Sequence, residues 1–187
     1  MIYGFIAIIG ICLGSFINAL VWRLSQQLDS DGEPKKLSTK KAKDLSIAKG
    51  RSMCPHCKHT LAWYDLVPIF SWLQLRGRCR YCHKRISTQY PLVELLTGLL
   101  FVISYAFWPF DLSDTWAVVG LVSWLLVLVG LIALAVYDLK YMLLPNRILY
   151  PLIALASSTV VLQLALGRPI TVVPGIVLSV LIAAGIF

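Results

Sequence analysis

Charge is scarce in this chain, and acid is scarcest. Only 14% of the 187 residues are charged, and nine of them are acidic. A soluble domain carries about a quarter charged residues. The apolar residues, 58% of the total, are gathered into blocks instead of being spread at amphipathic spacing. This excludes an ordinary water-soluble domain and argues for a polytopic membrane protein. No charge precedes the first apolar block, and no small-x-small cleavage site follows it, which weighs against a cleaved signal peptide. No internal repeat is visible.

The positive charge is concentrated. Of 17 Lys and Arg, 14 fall between Arg23 and Arg85, leaving Lys140, Arg147 and Arg168 outside. A nucleic-acid binder can carry such a stretch, but between apolar blocks the positive-inside bias explains it with less strain. The partner expected on this ground is the lipid bilayer, with no nucleic acid.

The apolar blocks predict an all-α membrane protein of about five spans. The first covers residues 1–22, from Ile2 to Trp22, with Gly10 and Gly14 allowing close helix packing and Asn18 suited to an interhelical hydrogen bond. Arg23 is expected to stop it. Residues 23–90 form a basic loop, and residues 91–187 hold the remaining spans. These run from Pro91 to about Trp108, Thr115 to Val136, Ile148 to Leu166, and Val173 to the last residue, Phe187. With the amino terminus outside, the basic loop and the polar segment Tyr137–Arg147 share the cytoplasmic side. The outer turns then carry one Arg and two Asp.

Five cysteines are present. Cys12 is alone inside the first block and reads as a packing residue. The other four form two Cys-x-x-Cys pairs, Cys54 with Cys57 and Cys79 with Cys82. Four thiolates at this spacing close a tetrahedral zinc site that leaves no position for water, which makes it a structural site. A reducing cytoplasm favours metal over disulfides. His56, His59 and His83 adjoin the cysteines, but four thiolates suffice. Pro55 and Gly77 suit the tight turns of such a module. Between the pairs, Leu61 to Leu73 is too apolar for a free loop. It reads as lying on the membrane surface or packed on the spans, with Trp63 and Trp72 at headgroup level.

Two acids draw notice. Asp138 lies just past the aromatic end of an apolar block, where an ionisable residue can be functional or can simply pair with Lys140 or Arg147. An aspartyl hydrolase needs a second carboxylate close by; none is evident within the spans, and Asp65 and Glu94 are the other candidates on the cytoplasmic side. Glu94 sits one turn into the second span, where the helix dipole favours it. A role in binding a ligand or orienting the loop is the alternative. The cluster Arg76, Arg78, Arg80, Lys84 and Arg85 reads as a solvated face touching anionic lipid.

Taken in order, several motifs resemble the bacterial type IV prepilin peptidases. They are Gly14-Ser15-Phe16-Ile17-Asn18, Cys54-Pro55-His56-Cys57, Ser71-Trp72-Leu73 running into Arg76-Gly77-Arg78-Cys79-Arg80-Tyr81-Cys82, and Tyr90-Pro91-Leu92-Val93-Glu94-Leu95-Leu96-Thr97-Gly98. Tyr137-Asp138 through Leu144-Pro145-Asn146 resembles that family's first catalytic aspartate motif. The resemblance implies a bacterial inner-membrane aspartyl endopeptidase that removes the leader of prepilins and pseudopilins at the cytoplasmic face. It also implies N-methylation of the new amino terminus with S-adenosylmethionine, for which Glu94 is a candidate residue. Asp138 maps to the first catalytic aspartate. The family's second lies in a Gly-x-Gly-Asp motif, which this sequence does not contain. The expectation is an incomplete copy, inactive in cleavage as it stands. Ser25 also replaces the family's usual proline after the first-span Arg-Leu. The competing expectation is a non-catalytic, membrane-anchored zinc module that binds a pilus or secretion assembly partner.

Overall fold

The computed structural model describes residues 1–29, 33–36, 38–39, 44–46 and 50–165. Its helices are α1 (Ile2–Gln27), a short α2 (Phe70–Gln74), α3 (Gln89–Ala106), α4 (Thr115–Tyr141) and α5 (Asn146–Ala165), with a 3-10 turn at Trp63–Leu66. Three of them, α1, α3 and α4, are long and apolar enough to cross a membrane. The fold class is therefore all-α and membrane-type. Helix α5 covers the expected fourth span, with Pro151 inside it, and is not among those three. The expected fifth span lies outside the described residues.

α1 and α3 pack antiparallel and almost backbone to backbone. A Cβ on Gly10 would stand 2.8 Å from the Gly98 Cα, and one on Gly14 would stand 2.7 Å from the Glu94 Cα. One further turn along, Asn18 Nδ2 donates to the Tyr90 carbonyl at 3.0 Å. At the other end of the pair, Tyr3 and Tyr105 meet edge to face at 5.4 Å. Each step of four along α1 thus meets a step of four back along α3. The small residues permit the approach, and dispersion between the close backbones rewards it. α4 joins through Trp124 Nε1, which donates to Ser104 Oγ at 3.0 Å. The core is built on Ile17, Val21, Leu24, Val93, Ala133 and Tyr137.

Two helix ends differ from the sequence-based expectation. α1 does not stop at Arg23 but runs on to Gln27. Arg23 is buried, and its guanidinium donates to the carbonyls of Ser46 and Gly50 at 3.3 and 2.9 Å. A charge that finds carbonyl partners inside the protein need not end the helix. α4 likewise continues past Val136, so Tyr137, Asp138 and Lys140 are helical. It closes at Met142, whose backbone is left-handed and whose N–H bonds the Asp138 carbonyl at 2.7 Å. Pro145, unable to extend that helix, leads into α5 instead.

A candidate metal centre and the cavity beneath it

The two cysteine pairs fold into matching turns. In the first, the Lys58 N–H bonds the Cys54 carbonyl at 2.9 Å, and the Cys54 N–H bonds the His59 carbonyl at 3.0 Å. In the second, His83 bonds Cys79 at 3.0 Å, and Cys79 bonds Lys84 at 2.9 Å. An antiparallel bridge closes each, Met53 with Thr60 and Arg78 with Arg85. Lys58 and His83, each four residues after the first cysteine of its pair, hold positive φ of 56° and 55°. The reversal therefore rests on these two residues, whereas Pro55 keeps negative φ. Gly77 has φ +68°, and its missing side chain leaves room for the Trp72 ring, which would lie 2.8 Å from a Cβ there.

These turns aim all four thiols at one point. The Sγ atoms of Cys54, Cys57, Cys79 and Cys82 lie within 4.8 Å of one another, and Cys54 and Cys82 are 3.9 Å apart. A tetrahedron with metal–sulfur bonds of ~2.3 Å has edges of ~3.8 Å. The donor set therefore fits a four-thiolate metal, and no histidine belongs to it among the described residues. His56 instead bonds the Arg85 carbonyl at 3.2 Å, and His59 stacks on Tyr81 at 3.8 Å. Burial pushes the Cys54 thiol up to about 12. A thiol held so high is a poor thiolate by itself, and a bound cation would supply the missing stabilisation.

Asp65 ties the segment between the pairs to the second turn. Its side chain is only 3% exposed; one oxygen takes Arg80 Nε at 2.7 Å and the other Tyr81 Oη at 3.1 Å. That hydrogen bond and the adjacent charge raise the Arg80 guanidinium above its ordinary value. The Asp65 carboxylate is thus committed to Arg80 and Tyr81. Trp63 is exposed, whereas Trp72 is only partly so. It turns into the module and donates from Nε1 to the Ile86 carbonyl at 3.3 Å.

Between the module and the α1–α3 pair lies a cavity of about 140 Å³. Ser15, Asn18, Trp22, Trp72, Tyr90 and Glu94 are among its lining residues. Glu94 is buried. One carboxylate oxygen accepts the Ile69 N–H at 2.7 Å. Among the described residues no cation pairs with Glu94. The Asn18 side-chain amide must turn its NH₂ to the Tyr90 carbonyl, since only a donor fits there. Its Oδ1 is left buried without a partner. Ile69 adopts φ 60° and ψ −52°, and the Phe70 N–H reaches back to the Pro68 carbonyl at 2.5 Å. This is a γ-turn of the strained, positive-φ kind, rare for a β-branched residue. Nothing in the Pro68-Ile69-Phe70 sequence signals it; the Glu94 carboxylate, 25 residues on, receives its free N–H.

Asp138 stands elsewhere, on the last turn of α4, half-buried and outside the cavity lining. Neither candidate cation pairs with it. Arg147 Nη1 donates to Gln27 Oε1 at 2.6 Å, and Lys140 Nζ lies 5.5 Å from the Tyr141 ring centre. The structure therefore brings Glu94, Cys54 and Cys79 into the lining of one cavity and leaves Asp138 outside it.

Residues 8–108 match the bacterial peptidase A24 N-terminal domain family, a stretch that contains the metal centre, the cavity and the close-packed α1–α3 pair. The chain belongs to the bacterial A24 prepilin peptidase family. A type 4 prepilin-like proteins leader peptide-processing enzyme of Escherichia coli is 40% identical over 144 residues, covering 73% of this chain and 49% of its own length. Prepilin leader peptidase/N-methyltransferases of Myxococcus xanthus and Vibrio cholerae are each 38% identical, covering 79% and 80% of this chain and 37% and 53% of their own. The chain thus spans about half the length of these curated relatives, or less. No solved structure matches it.

Proposed function

We propose that the protein of which this chain is part removes the leader from type IV prepilins and pseudopilins and methylates the amino terminus so exposed. The observation that carries this reading is the ordered match of the A24 N-terminal region to prepilin leader peptidase/N-methyltransferases. The domain division proposed with it is a first span at residues 1–22, a metal-bearing loop at 23–90, and a peptidase region from 91 on. The loop and Asp138 face the cytoplasm of a bacterial inner membrane, with the basic residues obeying the positive-inside bias.

In this reading Asp138 is one of two catalytic aspartates. It is held on a helix end and is not claimed by Lys140 or Arg147, which leaves its carboxylate available to activate water with a second acid. Zinc is the proposed metal of Cys54, Cys57, Cys79 and Cys82. With four thiolates it has no open position and acts as a staple, holding the module over the α1–α3 pair.

The cavity is the proposed methyl-transfer site. S-adenosylmethionine supplies an activated methyl group when bound. The buried Glu94 carboxylate, without a cation, and the orphaned Asn18 Oδ1 fit a positively charged, hydrogen-bond-donating ligand. Trp22, Trp72 and Tyr90 would enclose its apolar and aromatic parts.

The test is Asp138→Asn in the full-length protein expressed with a prepilin. Leader removal is expected to stop while zinc content stays unchanged. Unaltered processing would reject the catalytic assignment of Asp138, whereas a full-length, unsubstituted protein that removes no leader would favour an anchored, non-catalytic metal module.

A further inference from the structure

The stretch between the cysteine pairs presents an apolar face that the rest of the protein leaves open. Trp63 is 79% exposed, Phe70 63% and Leu73 60%. This is not how a water-facing loop is made. α2 is two-sided: Ser71, Trp72 and Leu75 line the cavity, while Phe70 and Leu73 point away from it.

The depth of α2 is set by one bond. The Ile69 N–H, at the start of α2, is tied to Glu94 at 2.7 Å. Glu94 is on the second turn of α3, five residues past its start at Gln89, or about 7.5 Å along the axis at 1.5 Å per residue. At that level α3 turns Leu92 and Leu95 outward, 64% and 58% exposed. On a membrane span these are lipid-facing side chains. α2 is therefore moored beside a lipid-facing surface, not above it. Amphipathic elements at a bilayer interface sink by about 5–10 Å, a distance comparable to that of Glu94 from the first residue of α3. Basic residues follow directly: Arg76, Arg78, Lys84 and Arg85 are all exposed, placed to meet phosphate headgroups.

We infer that Trp63, Phe70 and Leu73 form an interfacial membrane-docking surface, seated among lipid headgroups and upper acyl chains and continuous with the lipid-facing side of α3. The metal module then lies on the bilayer instead of standing in water. The inference holds whichever reaction the cavity serves.

A single reporter tests it. The full chain carrying Trp63→Phe and Phe70→Trp is reconstituted into phosphatidylcholine–phosphatidylglycerol vesicles and compared with Trp63→Phe alone. The difference in emission isolates position 70, and a full zinc complement verifies the fold. Lipids brominated near the top of the acyl chain are expected to quench that emission strongly, and aqueous acrylamide to quench it little. Adding Glu94→Ala should weaken the bromolipid quenching, while Glu94→Gln, which still accepts the Ile69 N–H, should preserve it. Strong acrylamide quenching without bromolipid quenching would overturn the proposal in favour of an open face. Quenching by neither would overturn it in favour of a protein partner or a second copy on that face.

Discussion

The metal module and the α1–α3 pair are neighbours held together by opposite means. The module has almost no core of its own. Its fully buried side chains are Cys54 and Cys79, and most of its large apolar groups face outward. Its shape comes from backbone turns, the Asp65 ties and four clustered cysteine side chains. The helix pair has no such cross-link. It relies on glycines that let backbones touch over several turns, and on a shared core with α4. A short polar stretch cannot bury enough surface to offset its ordering entropy, so it needs a staple. Two long helices in lipid need only a smooth seam.

This contrast can be broken from either side. The largest effect is expected from Cys54→Ser, which should cost the module its metal and its order, read as lost zinc and rapid proteolysis within 50–90. α1–α3 packing should survive. Collapse of the whole protein would show that the seam depends on the staple. Acid should act in the same way. Without metal, the Cys54 thiol, raised from 9.0 to about 12, stays neutral in both states below pH 9. Its contribution to stability is then complete, and it is lost only as pH climbs from 9 toward 12. Metal binding adds the opposite dependence, because thiols must give up protons to ligate. Zinc release on lowering pH, followed with a chromogenic chelator, should therefore precede loss of helicity.

Gly14→Val tests the seam. Its Cβ would stand 2.7 Å from the Glu94 Cα, and overpacking of this kind costs about 1–3 kcal/mol. The helix pair should loosen and its melting temperature fall while zinc content is retained. The smallest effect is expected from Lys58→Gly. A left-handed backbone costs a non-glycine residue about 1–2 kcal/mol, partly offset by the greater freedom of glycine when unfolded. The variant should hold zinc slightly longer against a competing chelator, whereas Lys58→Val should release it sooner.

Much of this was legible in the chain. The spacing of Cys54, Cys57, Cys79 and Cys82 announced a four-thiolate site because two short turns are all that such a site requires of the backbone. Gly10, Gly14 and Asn18 announced a close interhelical seam, since small residues and one amide in an apolar run have few other uses. Other features left no local mark. Arg23 reads as a stop signal until the Ser46 and Gly50 carbonyls are seen to receive it, and Trp72 reads as an interfacial anchor until Gly77 and Ile86 are seen to hold it. Asp138 reads as the partner of Lys140 or Arg147 until both are found engaged elsewhere.

The sequence by itself determined the class of protein, the four cysteines that cluster and the family, because hydropathy blocks and cysteine spacing are properties of the chain read in order. Only the tertiary structure decided where Glu94 acts. Its carboxylate moors a strained turn 25 residues upstream, lines a cavity shared with the metal module and sets the depth of α2. Burial, mooring and depth are relations between distant segments, and no run of neighbouring residues encodes them.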